Sequence, residues 1–124
     1  MAFSPLSRKD LGRYGEQRAE EYLAAQGYGI AARNWRCRSG EIDLIAEADD
    51  QLVFIEVRTR RLTGRFGTAK ESVDARKQLK VRQIAQMYLY AVKQSDRKVR
   101  FDVIAVELTP QGEFIGLEHL AGAF

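Results

Sequence analysis

A run of strand-forming residues doubles back on itself and carries carboxylates on both arms. Glu41 to Ala46 leads into Asp49-Asp50 and returns as Leu52 to Arg58. A two-residue turn centred on Asp49-Asp50 pairs residues whose numbers sum to 99. That register sets Asp43 opposite Glu56 and Glu41 opposite Arg58. Because side chains alternate along a strand, the four are expected on one face. Ile42, Leu44, Val53, Ile55 and Val57 make the other face wholly apolar. Facing Cβ atoms lie roughly 5 Å apart, where like charges destabilise the pair. A fold keeps Asp43 against Glu56 only if something cationic resolves the repulsion, and a divalent metal is the sharpest candidate.

The rest of the chain narrows the choice of metal. One cysteine, Cys37, permits no internal disulfide and no cysteine-based zinc site, which suits a reducing cytoplasm. One histidine, His119, excludes a multi-histidine centre and leaves little scope for a Ser-His-Asp triad. Oxygen ligands then favour Mg²⁺, Mn²⁺ or Ca²⁺. The 124 residues suffice for one domain with one core. No apolar run approaches the ~20 residues of a membrane span. Met1 to Arg13 lacks the apolar stretch of a signal peptide.

Charge is unevenly spread. The net charge is +3, yet Arg58 to Arg82 holds nine basic and two acidic residues, a local +7 that leaves −4 elsewhere. Such a stripe reads as a polyanion footprint, with Arg60, Arg61, Arg65, Lys70, Arg76, Lys77 and Lys80 as candidate phosphate contacts. A solvated loop and helix face is the plainer alternative.

Residues 1–8 read as a flexible N-terminal arm and 9–124 as a single domain. Leu11, Gly15, Ala19, Tyr22 and Leu23 recur at helical spacing from Lys9 to Gln26, with Glu16 one position off that stripe. A short strand over 29–36 precedes the hairpin 41–58, and Thr59 to Ser72 reads as a loop. Asp74 is positioned to cap a helix over 75–93 with Ile84, Met87, Tyr88 and Ala91 inward. Strands follow over 99–108 and 113–120. The order α-β-β-β-α-β-β implies an α/β domain on a mixed sheet flanked by helices. Arg76, Lys77 and Lys80 fall in the first turns of the second helix, where the macrodipole disfavours cations unless phosphates dock there.

Asp43 and Glu56 could hold Mg²⁺ with a backbone carbonyl, for which Val57 is placed. Arg58 would then sit beside the metal and stabilise charge on a phosphodiester, and Glu16 is a possible further ligand. The structural alternatives are a network of Asp43 and Glu56 with arginines, a Glu41–Arg58 cross-strand salt bridge, and Glu16 as a surface charge. Trp35, Phe66, Tyr88 and Tyr90 read as packing residues. Asp102 reads as a partner for a basic residue.

Several motifs in order resemble one family. Glu16 to Ala19, Gly40 to Ile45 (Gly-Glu-Ile-Asp-Leu-Ile), Phe54 to Arg60 (Phe-Ile-Glu-Val-Arg-Thr-Arg), Ser72-Val73, Lys77 with Ala85 and Tyr88-Leu89, and Arg100 to Val103 carry the likeness. Together they resemble the YraN family of bacterial proteins from about Gly12 to Leu120. That family is similar to the PD-(D/E)XK, restriction-endonuclease-like superfamily and to archaeal Holliday-junction resolvases. The resemblance implies a restriction-endonuclease-like core, Mg²⁺ or Mn²⁺ as cofactor, Asp43 and Glu56 as metal-binding acids and Glu16 as the helix glutamate. Arg58 stands where the superfamily has lysine. Arginine does not shed its proton, so it can orient or stabilise but cannot serve as a general base.

Three functions are therefore expected in competition. The first is a metal-dependent endonuclease, structure-selective on branched DNA and resolvase-like, for which a symmetric substrate would favour a homodimer. The second is a non-catalytic nucleic-acid-binding domain that retains the nuclease fold. The third is a protein-interaction module whose acids form a plain salt-bridge network.

Overall fold

The computed structural model describes residues 7–62 and 73–124. The elements are α1 (Arg8–Ala25), β1 (Gly29–Cys37), β2 (Gly40–Ala48), β3 (Gln51–Arg61), α2 (Ala75–Ala91), β4 (Val99–Leu108) and β5 (Phe114–Leu120). The order is the one read from the sequence. Its five strands form one mixed sheet in the order β1-β2-β3-β4-β5. Only β3 and β4 run parallel, joined through α2; the other three neighbouring pairs are antiparallel.

The hairpin turn obeys its sequence. Asp49 and Asp50 both take positive φ, 49° and 68°, as a two-residue turn matched to strand twist requires. Five pairs, from Ala48↔Gln51 to Leu44↔Ile55, keep the register of 99. Then the ladder stops, one residue short of Asp43 and Glu56.

Helices cover both faces. Ala19 and Leu23 of α1 pack with Leu44, Ala46, Val53, Ile55, Ile104, Val106 and Leu108. Val81, Ile84, Ala85, Tyr88 and Leu89 of α2 pack with Ile42, Ile45, Leu52, Phe54 and Phe101. Strand β3 lies in the middle of the sheet, so Leu52 to Glu56 are all buried. Glu56 is the only charged residue in that run.

The apolar clusters correct the expected face assignment. Ile42 was expected beside Leu44, but it joins Ile45 and Phe54 against α2, while Leu44 joins Val53 and Ile55 against α1. Strict alternation therefore slips at Asp43. Across the sheet, β1 pairs Arg33 with Leu44 and Trp35 with Ile42, skipping the position between them. There Asn34 adopts φ 47°, a left-handed conformation that asparagine tolerates. The kink in β1 and the end of the β2–β3 ladder thus fall at the same level of the sheet.

Three further differences have local causes. Strand β3 runs through Thr59, Arg60 and Arg61, read as loop from sequence, because β4 continues beside it to Arg61↔Leu108. Helix α1 begins at Arg8, capped by the Ser7 side chain accepting from the Asp10 N–H. Met87 and Ala91, expected inward, are exposed, as is Tyr90 at 81%. The stripe at Val81, Ile84, Ala85, Tyr88 and Leu89 faces the sheet instead, rotated slightly from the one expected. Asp74 does cap α2, accepting from the Lys77 N–H at 2.9 Å. Gly15 sets the spacing of α1 to the sheet, since a Cβ there would lie 1.6 Å from Thr59 Oγ1.

Candidate active site

Where β2 leaves β3, side chains take over from the ladder. The Val57 N–H donates to Asp43 Oδ2 at 2.8 Å in place of a strand carbonyl. A strand residue directs its N–H and C=O toward the same neighbour. The Val57 carbonyl therefore faces the side on which Asp43 lies. Glu56, the residue before, is 3% exposed, with Oε2 3.6 Å from Lys77 Nζ. Its Oε1 is buried without any hydrogen-bond partner among the described residues.

Both acids lie above the ordinary carboxylate range. Burial, opposed by the Val57 N–H and reinforced by Glu16 and Glu41, raises Asp43 to about 6. Burial and then the Asp43 charge raise Glu56 to about 7, against the pull of Lys77 and Arg58. A paired structural network would hold such acids low, as it does elsewhere in this chain. Asp102 is fully buried, and burial alone would raise it, yet donors from His119, Arg100 and Gly122 bring it below the ordinary carboxylate range. Asp43 and Glu56 lack that compensation.

Other expected residues fall around this pair. Glu16 comes close enough to raise Asp43, and Asn34 Nδ2 donates to Glu16 at 2.8 Å and to Glu41 at 3.1 Å. Glu41 was expected to bridge to Arg58; it pairs instead with Arg36 at 2.6 Å, because the β1–β2 register sets Arg36 directly against it. Arg58 is exposed and close enough to lower Glu56.

The basic stripe separates into parts. Arg76 and Lys80 are exposed on the start of α2, while Lys77 turns toward Glu56. Arg60 is bound to Glu107 at 3.3 Å and is mostly buried, and Arg61 is half-buried on β3. Arg82 lies over the Phe101 ring at 4.9 Å, a packing position. Arg65 and Lys70, like Phe66, lie outside the described residues. The sequence reading treated Lys77 only as a phosphate contact and missed its place at the acid pair. It missed Asn34 entirely, although an asparagine inside a strand pattern is a signal for left-handed backbone.

The donor set suits a hard divalent cation. It offers two acids of raised pKa, one of them with a buried oxygen that has no partner among the described residues, and a backbone carbonyl. Among the described residues no three Asp, Glu, His or Cys side chains gather into a closed metal cage. A two-carboxylate site leaves coordination positions for water and substrate. No described helix is long and apolar enough to cross a membrane.

The chain belongs to the uncharacterised protein family UPF0102, whose pattern matches residues 15–106. A UPF0102 protein of Moorella thermoacetica is 46% identical over 119 residues, covering 96% of this chain and 98% of that one. A relative from Symbiobacterium thermophilum is 50% identical over 107 residues, covering 86% and 89%. One from Frankia alni is 47% identical over 114 residues, covering 92% and 93%. Among solved structures, the Ca²⁺ complex of SfsA from Pyrococcus furiosus aligns with 89% of this chain and 62% of its own. The TM-score is 0.41 and the identity 14%, too loose a likeness to carry an inference.

Proposed function

We propose that this chain is a metal-dependent endonuclease of the PD-(D/E)XK type, acting on phosphodiester bonds of structured or branched DNA. The observation that carries the reading is the Asp43–Glu56 pair. A buried glutamate and a half-buried aspartate, both of raised pKa, stand together at the point where two strands part, and one oxygen of Glu56 has no partner among the described residues. Perturbed carboxylates that no structural network compensates are a mark of a functional site.

Asp43, Glu56 and the Val57 carbonyl would hold Mg²⁺ or Mn²⁺. Such an ion, when bound, activates water and neutralises charge on the phosphodiester. Arg58 stabilises negative charge on the phosphate but cannot exchange a proton. Lys77, 3.6 Å from Glu56, adds a second cation beside the acid pair. Asn34 holds Glu16 toward Asp43, so Glu16 adds negative potential to the site and favours a cation there. Exposed Arg76 and Lys80 give a sequence-independent hold on phosphate. A symmetric junction would be served by a homodimer, and a cytoplasmic location fits the substrate.

The test is cleavage of labelled single strands, duplexes, flaps and four-way junctions with Mg²⁺ or Mn²⁺. Asp43→Asn and Glu56→Gln are each expected to lower cleavage on the order of a hundredfold, the scale on which metal-site changes act. Wild-type protein that cuts none of these substrates would sink the nuclease reading. Tight, salt-sensitive binding without cleavage would instead favour a nucleic-acid-binding domain that keeps the fold, the reading that Arg58 motivates.

A further inference from the structure

We propose that the groove beneath the first turns of α1 is the track along which a nucleic-acid backbone reaches the acid pair. This rests on the nuclease reading and names a binding surface outside the basic stripe of residues 58–82. Two cavities, about 490 Å³ and 310 Å³, are both lined by Arg8 and Gly12 and so adjoin. The larger touches Val57 and Arg58; the smaller touches Lys9, Arg13 and Arg36 with Glu16, Glu41 and Asn34. The groove thus borders the site on both sides, at the residue whose amide holds Asp43 and at the helix glutamate beside it.

Three of its cations lie on the first turns of α1. Arg8, Lys9 and Arg13 are exposed and form no ion pair among the described residues. Arg36, at the groove's far edge, is paired with Glu41, and elsewhere Arg18, Arg33, Arg97 and Arg100 each meet a carboxylate. Three unpaired cations in the first two turns of a helix also oppose its macrodipole. Asp10, the one acid there, is held by the Ser7 hydroxyl at 2.8 Å. An anion lying in the groove resolves both conflicts.

Gly12 supplies an independent observation. Glycine is unfavourable within a helix, and at Gly15 the close approach of Thr59 explains it. At Gly12 no atom of the described residues lies within 4 Å of where a Cβ would stand. None of them requires the missing side chain, but a ligand backbone in the groove would.

Binding of a fluorescein-labelled single strand and its duplex, followed by polarisation in EDTA so that no cleavage intervenes, tests this. Gly12→Leu is expected to melt no lower than wild type, leucine being the better helix former, yet to bind about tenfold more weakly. Arg8→Gln with Arg13→Gln is expected to reduce the slope of log K against log salt by about 2, since each phosphate a cation neutralises adds close to 0.9. Lys93→Gln with Lys98→Gln removes the same charge elsewhere and should leave the slope near wild type. Unchanged affinity in Gly12→Leu, or an unchanged slope in the arginine double variant, would overturn the groove while leaving the nuclease reading intact. Wild-type protein that binds neither probe would likewise overturn the groove, whereas the nuclease reading stands or falls with the cleavage of flaps and four-way junctions.

Discussion

Replacing a charged residue by its neutral isostere is expected to make this protein more stable. At pH 8, Glu56→Gln and Asp43→Asn should each unfold at higher denaturant than wild type. The sign follows from the titration. Both acids have folded-state values raised above their unfolded ones, to about 7 and about 6. The folded chain therefore keeps protons that the unfolded chain sheds between about pH 4 and 7. Stability that is complete below pH 4 is lost as pH rises through this window. A shift of about two pH units is worth on the order of 2 to 3 kcal/mol per group, and less at Glu56 once Asp43 is neutral, because the Asp43 charge is part of what raises it. Urea unfolding across pH 4 to 8 reads the effect directly. The wild type should lose stability across the window, and each variant should lose visibly less. A plain salt-bridge network would behave oppositely, with both variants destabilised.

A larger loss is expected at Asp102. This fully buried carboxylate accepts from Arg100 Nε at 2.9 Å and Nη2 at 2.8 Å, from His119 Nε2 at 2.7 Å, and from the Gly122 N–H at 3.0 Å. Arg100 continues to the Tyr28 hydroxyl at 2.6 Å, and His119 Nδ1 meets the Tyr22 hydroxyl at 3.0 Å. One side chain thus ties β4 and β5 to the end of α1 and to the C-terminal residues. Asp102→Ala leaves Arg100 without its counter-charge and His119 without its hydrogen-bond partner. Breaking such a buried pair from one side costs about 3–5 kcal/mol. Asp102→Asn should recover part of this, since its amide oxygen can still accept from Gly122 or Arg100. The pH sign is the reverse of that at the acid pair. The Asp102 value is lowered, so its stabilisation is present above about pH 4 and fades as pH falls through the folded value. Equilibrium unfolding of the two variants at pH 7 measures the ordering.

How far the sequence alone reached follows from which signals are local. The hairpin register was legible because a turn and two alternating strands fix it within eighteen residues, and Asp49-Asp50 do take the turn. Its end was not legible. The slip at Asp43 arises from one left-handed residue, Asn34, on a different strand, and no periodicity within 41–58 registers it. The inner stripe of α2 was misread at Met87 and Ala91 because two neighbouring stripes fit the helical period. Only the placement of the sheet beneath the helix decides between them. Glu41 was assigned to Arg58 from the β2–β3 hairpin, yet β1 reached it first with Arg36. The Asp102 partnership with a basic residue was foreseen. Its links to Tyr28 and Tyr22 span separations of 72 and 97 residues and leave no local trace. The same holds for Lys77, which lies on a helix read as a phosphate-binding face and turns out to touch Glu56.

The central claim is that Asp43 and Glu56 form a divalent-metal site. It is tested most directly by titrating Mn²⁺ into the protein calorimetrically at about pH 6.5, in two buffers of different ionisation enthalpy. At that pH the raised acids are partly protonated, and a metal must displace those protons. The account predicts one site, binding that releases protons, and loss of both signals in Glu56→Gln. Wild-type protein that takes up no metal, or that binds it without proton release and equally well in Glu56→Gln, would contradict it.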